Sequence, residues 1–438
     1  MAEIRSKPSK FWAYVALVAG GLLLIGGIAA FIGYMGLPFV GRGGDILTPQ
    51  LGQMAGMFLG LVGGGLAAYH GLGSIRGHRS SALKLPRFHL LWIVFALVLG
   101  LGNVLLNFHV AEELLFPPLF LLGAALPTVA VLAWAGRRLN WPATWRQGAL
   151  ALVSGSTLSI LVTILLGSVL PLVVYLLVEP LAYAVRDFWY VPIFSPEVLF
   201  FIFLTALQAP IPEEFAKALG PGLMMRRLKS ERQAFFVGLA SGAGFAILEN
   251  MLYEGLYAQW NGWTWGGVTL LRGIGSVLHP LGSGIIALAL FRARGRPAGW
   301  FGRLARAYLI SVGLHTLWNG GFDLFVYFSG AGLYGGVRLD FYGEAVSASL
   351  VVFLLALSAG LWWLLRRMVQ DLAASDDQVG ASQAAVDQVV AEEGLSPGVS
   401  VRTVAVWAFV CALVIVPIGA ALGPAWQQVQ AILLTGPR

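Results

Sequence analysis

The residues able to do chemistry crowd into one stretch of this chain. Between 198 and 329, Glu213, Glu214, Lys217, Glu249, Asn250, Arg272, His279, His315, Asn319 and Asp323 interrupt a sequence that is otherwise mostly apolar. Lys217 follows the two adjacent acids by four and three residues, one helical turn, and can pair with one of them. His315 and Asn319, at i and i+4, point the same way. Arg272 and His279 are seven residues apart, which puts them on one face of a helix, and Pro280 follows at once. A carboxylate in a low-dielectric site is a stronger base than one in water and can take a proton from a water molecule. Histidine and asparagine donors can hydrogen-bond the oxyanion that forms opposite it. Together they suit hydrolysis of a peptide bond by an activated water, with no covalent enzyme intermediate.

The elements that must hold these groups are membrane spans. Of 438 residues, 58% are hydrophobic and 11% charged, against about 45–50% and about 25% in soluble domains. A soluble globular protein, a disordered chain and a coiled coil are excluded. A span needs about 20 mostly apolar residues. Eleven candidates satisfy this, at 11–36, 51–73, 90–108, 117–136, 149–178, 198–225, 234–257, 265–291, 305–329, 345–365 and 403–422. The expected fold is an all-α polytopic membrane protein of about 11 transmembrane helices, with a polar catalytic core in helices six to nine. The basic start followed by a long apolar run is too long for a signal peptide and reads as the first span.

With the N-terminus cytoplasmic, the inner segments hold 21 of the 28 Lys and Arg, and the outer loops only Arg42, Arg186 and Arg338. The positive-inside rule then fixes the topology of a multi-pass cell-membrane protein. It also accounts for most of the net charge of +7 without nucleic acid. The single Cys411 excludes a disulfide framework and a cysteine metal site. Residues 368–402 read as an acidic cytoplasmic linker with room for one short helix. Gly52, Gly56, Gly60 and Gly64 recur every fourth residue and predict close helix packing, within the chain rather than between chains. His70 and His109 lie near span ends, where a hydrated histidine is expected.

Charge at bilayer depth costs about 2.5–3.5 kcal/mol per residue, so the charged members of the cluster, taken separately, would cost on the order of 20 kcal/mol. Any one of them could be a packing device, such as a buried ion pair or a helix tie. Acids, histidines and an asparagine on four consecutive spans are harder to explain that way, because apolar residues pack helices at lower cost. In the sixth span Pro210 and Pro212 predict a break near 208–212 and a half-helix that begins with Glu213 and Glu214. Its positive end favours those carboxylates.

Other membrane-protease chemistries fit poorly. The chain has no HExxH. Gly43-Gly44-Asp45 approaches an aspartyl motif but lies in a loop, and Ser241-Gly242 lacks the rest of a rhomboid-type serine motif. A divalent metal such as zinc held by Glu249, His279 and His315 is compatible with those ligand types, although no metal or other cofactor is firmly expected.

The motifs Glu213-Glu214-x-x-Lys217, Phe245-x-x-x-Glu249-Asn250, His279 and His315-x-x-Trp318-Asn319 resemble the PrsW family of bacterial membrane proteases, which is related to the CAAX-processing and bacteriocin-processing glutamic intramembrane proteases. The resemblance covers about 198–329. It implies that Glu213 activates water, that His315 and Asn319 support the oxyanion, and that Glu249 or His279 takes the place of a second, water-positioning histidine. Glu214 joins this catalytic set, with Lys217, Asn250 and Arg272 in support. The implied substrate is a membrane protein or peptide, such as an anti-sigma factor cut at its first site.

The chain then divides into an N-terminal membrane region (1–197), the protease-like core (198–329), a further span (330–367), the linker (368–402) and a last span with its tail (403–438). A proton- or ion-coupled transporter would use a broken helix and midplane charges equally well, although the inverted repeats common in transporters are missing.

Overall fold

The computed structural model describes residues 11–36, 56–78, 80–109, 112–186, 203–258, 261–295, 299–328 and 340–377. These residues are mostly helical, with no strand among them and one isolated bridge between Ala82 and Thr144. The first run forms α1 (Phe11–Gly36). The second is a π-helical turn (Leu59–Gly64) continued by α2 (Gly65–Ile75). Next come α3 (Phe88–Phe108) and α4 (Glu112–Arg138). The fifth expected span passes through α5 (Trp145–Ser154), a π segment (Gly155–Ser159) and α6 (Ile160–Arg186). The sixth is broken into a π turn (Phe203–Leu207), α7 (Pro210–Lys217) and α8 (Leu219–Met224). The remainder is α9 (Glu231–Ala258), α10 (Gly262–Ile274), α11 (Leu278–Gly295), α12 (Trp300–Phe328) and α13 (Asp340–Asp377).

Eight stretches are long and apolar enough to cross a bilayer, and the chain is an all-α polytopic membrane protein. The broken sixth span falls short in helix length. The 29-residue α12 is long enough but carries Arg303, Arg306, His315 and Asn319. The expected eleventh span at 403–422, the linker beyond Asp377, Arg42, Arg338 and the side chain of Asp323 lie outside the described residues.

The centre of the molecule is α9, with 94% of its apolar window buried, against 22% for α1, α3 and α13. Its small residues explain why. A β-carbon on Gly244 would land on the carbonyl of Leu152 in α5, and one on Gly242 would land on that of His279 in α11. Without side chains there, the helices meet backbone to backbone, the arrangement that drives helix association in lipid. Phe235, Phe236 and Leu239 then fill the core beside Leu139, Leu150 and Leu281. The glycine stripe packs within the chain, as its spacing predicts. Gly60 and Gly64 meet Gly27 and Gly20 of α1, and a β-carbon on Gly27 would lie 2.6 Å from the amide nitrogen of Leu61. Gly52 is outside the described residues.

Three expectations are corrected. The eighth span is two helices, so Arg272 and His279 do not share a helical face. Gly275 ends α10 with its N–H on Leu271 O at 3.0 Å, and the ring of Trp318 occupies the space a side chain would need there. Pro280 falls in the first turn of α11, where its missing N–H is tolerated. The first ten residues of the expected linker instead extend α13 to Asp377. Val369 and Leu372 are buried, and Arg232 donates to the carbonyls of Leu372 and Ala373 at 3.0 and 2.5 Å. His70 is buried rather than hydrated, edge-on to Tyr69, whereas His109 is exposed and ends α3 in a left-handed conformation.

Candidate active site

The break in the sixth span sets the first two acids in place. Pro210 starts α7 at a position where its missing donor leaves no gap. The helix therefore begins one turn earlier than expected, and Glu213 sits in its first turn. Neighbouring hydroxyls satisfy carbonyls of this short helix. Tyr308 donates to Ile211 O (2.7 Å), Ser159 to Ala216 O (3.0 Å) and Ser241 to Lys217 O (2.9 Å). In a membrane core, irregular backbone persists only where protein groups supply such partners.

Lys217 is fully buried and its ammonium is the hub of one layer. It donates to Glu214 Oε1 at 2.7 Å and to His279 Nδ1 at 2.8 Å, lies 3.5 Å from Glu213 Oε2, and stands 4.5 Å from the centre of the Phe245 ring. Glu214 Oε1 also meets His315 Nδ1 at 2.9 Å, and His315 Nε2 is 3.2 Å from Asn319 Nδ2. The Arg272 guanidinium is the hub of the second layer. It donates to Glu249 and, at 2.7 Å, to Asn250 Oδ1, while Asn250 Nδ2 donates to Ala124 O at 3.1 Å. His279 joins the layers, because its Nε2 lies 2.8 Å from Glu249 Oε2.

These contacts assign the histidine protons. An ammonium can only donate, so His279 accepts at Nδ1 and donates from Nε2 to Glu249. The Asn319 amide donates to His315 Nε2, so His315 donates from Nδ1 to Glu214.

All six expected site residues and the three supporting ones are in this cluster. The rings of His279 and His315 meet edge to face, with centres 4.8 Å apart. Three carboxylates face two cations. Glu214 bonds Lys217 and Glu249 bonds Arg272, so Glu213 is the carboxylate without a hydrogen-bonded cation. Its buried Oε2 accepts no hydrogen bond and lies 3.7 Å from His315 Nε2. Beside His279, a cavity of about 10 Å³ is lined by Asn250, Arg272, Ser276 and Trp318, room for roughly one water.

Sequence reading missed several participants. The tyrosine and serines that hold α7 carry no local signal, since their role depends on where other helices run. Glu254 did carry one, as a further acid inside the seventh span. It is fully buried and shares the space around Gly123 with Thr269 and Trp265.

A family model described as PrsW family intramembrane metalloprotease matches residues 155–359, just under half of the chain. No curated protein and no solved structure matches the chain. The matched segment begins in the π segment before α6, so it extends beyond the expected 198–329 in both directions and contains the whole polar cluster. The match supports a membrane-embedded protease and does not favour a transporter.

The word metalloprotease calls for a test of the donors. Glu213, His279 and His315 each offer an atom, all within 4.8 Å of one another, and form a possible metal site. Glu213 takes the place expected for Glu249, which faces Arg272. Donor types and spacing suit zinc, but the surroundings do not. Zinc binds imidazole and carboxylate at about 2.0–2.2 Å. An ion held by Glu213 Oε2 and His279 Nδ1 would then touch the buried Lys217 ammonium, which already occupies that nitrogen, and Nε2 of the same ring is held by Glu249 at 2.8 Å. With Lys217 in place the residues do not fit a metal.

Proposed function

We propose that this protein is an intramembrane endopeptidase that cleaves membrane-associated substrates with a water activated by Glu213. The observation that carries the reading is the position of Glu213, a buried carboxylate whose Oε2 accepts no hydrogen bond and which stands together with the two histidines, with donor atoms within 4.8 Å of one another. Glu213 takes a proton from the water, whose oxygen attacks the scissile carbonyl carbon. Electrons of the C=O bond move to oxygen. Asn319 carries a second amide N–H besides the one aimed at His315, and that group serves the oxyanion. The C–N bond then breaks, and Glu213 returns the proton to the leaving amine.

The remaining groups position these. Glu214 holds His315, which aligns Asn319. Glu249, fixed by Arg272, holds His279 beside the water. Glutamate chemistry of this kind also follows from the resemblance to the CAAX-processing group. The resemblance to the PrsW family points to a regulated membrane-spanning substrate of the anti-sigma-factor type, and the charge asymmetry points to a cell membrane with a cytoplasmic N-terminus.

The test is purified protein in liposomes with a fluorogenic single-span substrate. Glu213→Gln is expected to abolish cleavage while the protein stays folded. Cleavage that survives in the Glu213→Gln, His315→Ala double variant would overturn the glutamate mechanism. Glu213-dependent proton flux in sealed vesicles, without proteolysis, would replace the protease reading with a transporter.

A further inference from the structure

We infer that Lys217 is the resident cation of this site: its ammonium holds the place a divalent metal would take, so the native chain is metal-free and becomes a metal binder only when that charge is removed. The inference concerns the site proposed above, and it stands on three observations.

The first is contact. The Lys217 ammonium bonds His279 Nδ1 at 2.8 Å and faces Glu213 Oε2 at 3.5 Å, and it bonds Glu214, which orients the third residue, His315. The other ring nitrogen of His279, Nε2, is held by Glu249 at 2.8 Å, so an ion bonded to Glu213 Oε2 and His279 Nδ1 would have to displace the ammonium.

The second is charge. Glu213, Glu214 and Glu249 face Lys217 and Arg272. A divalent ion added to both cations would exceed the three carboxylates in charge. A divalent ion with Arg272 alone would match them. With Lys217 replaced by a neutral side chain, an added divalent ion would balance the site instead of exceeding it by one charge.

The third is confinement. Lys217 cannot withdraw to admit a metal. Its carbonyl is held by Ser241, its stem is fully buried, and the face of the Phe245 ring stands against its ammonium. The long stem that lets surface lysines reach water is enclosed here.

The experiment measures metal content, without substrate. Tag-free full-length protein in detergent is stripped with chelator, equilibrated with zinc, dialysed and analysed for metal per chain by mass spectrometry. Wild type and Lys217→Arg, which keeps the charge, are expected to retain no stoichiometric metal. Lys217→Met is expected to hold about one ion per chain, with at least a tenfold gain in zinc affinity over wild type by chelator competition. Adding His315→Ala to it should abolish the binding.

Two results would overturn the inference: about one ion per wild-type chain that is lost in Glu213→Gln and His315→Ala, or no gain in Lys217→Met. The wild-type measurement needs no variant, and Lys217→Gln replaces Lys217→Met should the latter fail to fold. A metal-loaded wild type whose cleavage depends on Glu213 would sink this inference and keep the protease. A metal-free chain that cleaves nothing would sink the protease reading and leave this one standing.

Discussion

Replacing Gly242 by alanine should disturb the site without touching any of its polar groups. The added β-carbon would land on the carbonyl of His279 and 2.7 Å from Ser283 Oγ. Ordinary carbon–oxygen contact begins near 3.4 Å, so α11 must retreat from α9 by roughly 1 Å, and overpacking of that kind costs about 1–3 kcal/mol. His279 Nδ1 and Nε2 hold Lys217 and Glu249 at 2.8 Å each. A retreat of about 1 Å carries both past hydrogen-bonding distance. Misplacement on that scale is worth about 100-fold in rate.

Unfolding can be followed through the 15 tryptophans, and cleavage with the single-span substrate in liposomes. Gly267→Ala is the control. That glycine lies on α10 with nothing within 4 Å of an added β-carbon; the change should leave cleavage unchanged and stability equal or raised by about 0.5–1 kcal/mol. If Gly242→Ala matches this control in both assays, the close approach of α9 and α11 does not set the site.

Three further outcomes are expected. Glu214→Ala strands the buried Lys217 and His315 and should destabilise by about 3–5 kcal/mol. Glu214→Gln keeps an acceptor and should lose less, and equal losses in equilibrium unfolding would count against the bonded arrangement. Tyr308→Phe removes the bond to Ile211 O and should cost about 0.5–1.5 kcal/mol. Its kcat is expected to fall with KM nearly unchanged, because Tyr308 steadies α7 without touching substrate. In a Cys411→Ala background, a cysteine at Ser230 should react with impermeant maleimide only from the cytoplasmic side, and one at Asn261 only from the other. Labelling of both from one side would refute the assigned topology.

Much of the organisation is legible in the chain itself. A long apolar run with few charges can be satisfied only in a bilayer. Pro210 and Pro212 break a helix wherever they stand, and the glycines of the second span permit close approach whatever faces them. Lys217 with Glu214, and His315 with Asn319, are local pairs one turn apart, so their spacing reveals them. The turn at Gly275–Val277 was hidden. Pro280 is the visible helix breaker in this span, whereas the break lies where Trp318, 43 residues further on, claims the space beside Gly275.

By itself, the sequence determined the membrane class and the set of polar residues that had to share an interior. Each follows from composition or from periodicity along one helix. Only the tertiary structure decided how the charges are distributed among partners. Lys217 bonds His279, 62 residues away, and Arg272 takes Glu249, which leaves Glu213 as the carboxylate without a hydrogen-bonded cation. Those pairings depend on where α7, α9 and α11 cross. The crossings are set by backbone contacts at Gly242 and Gly244, at distances no helical periodicity encodes.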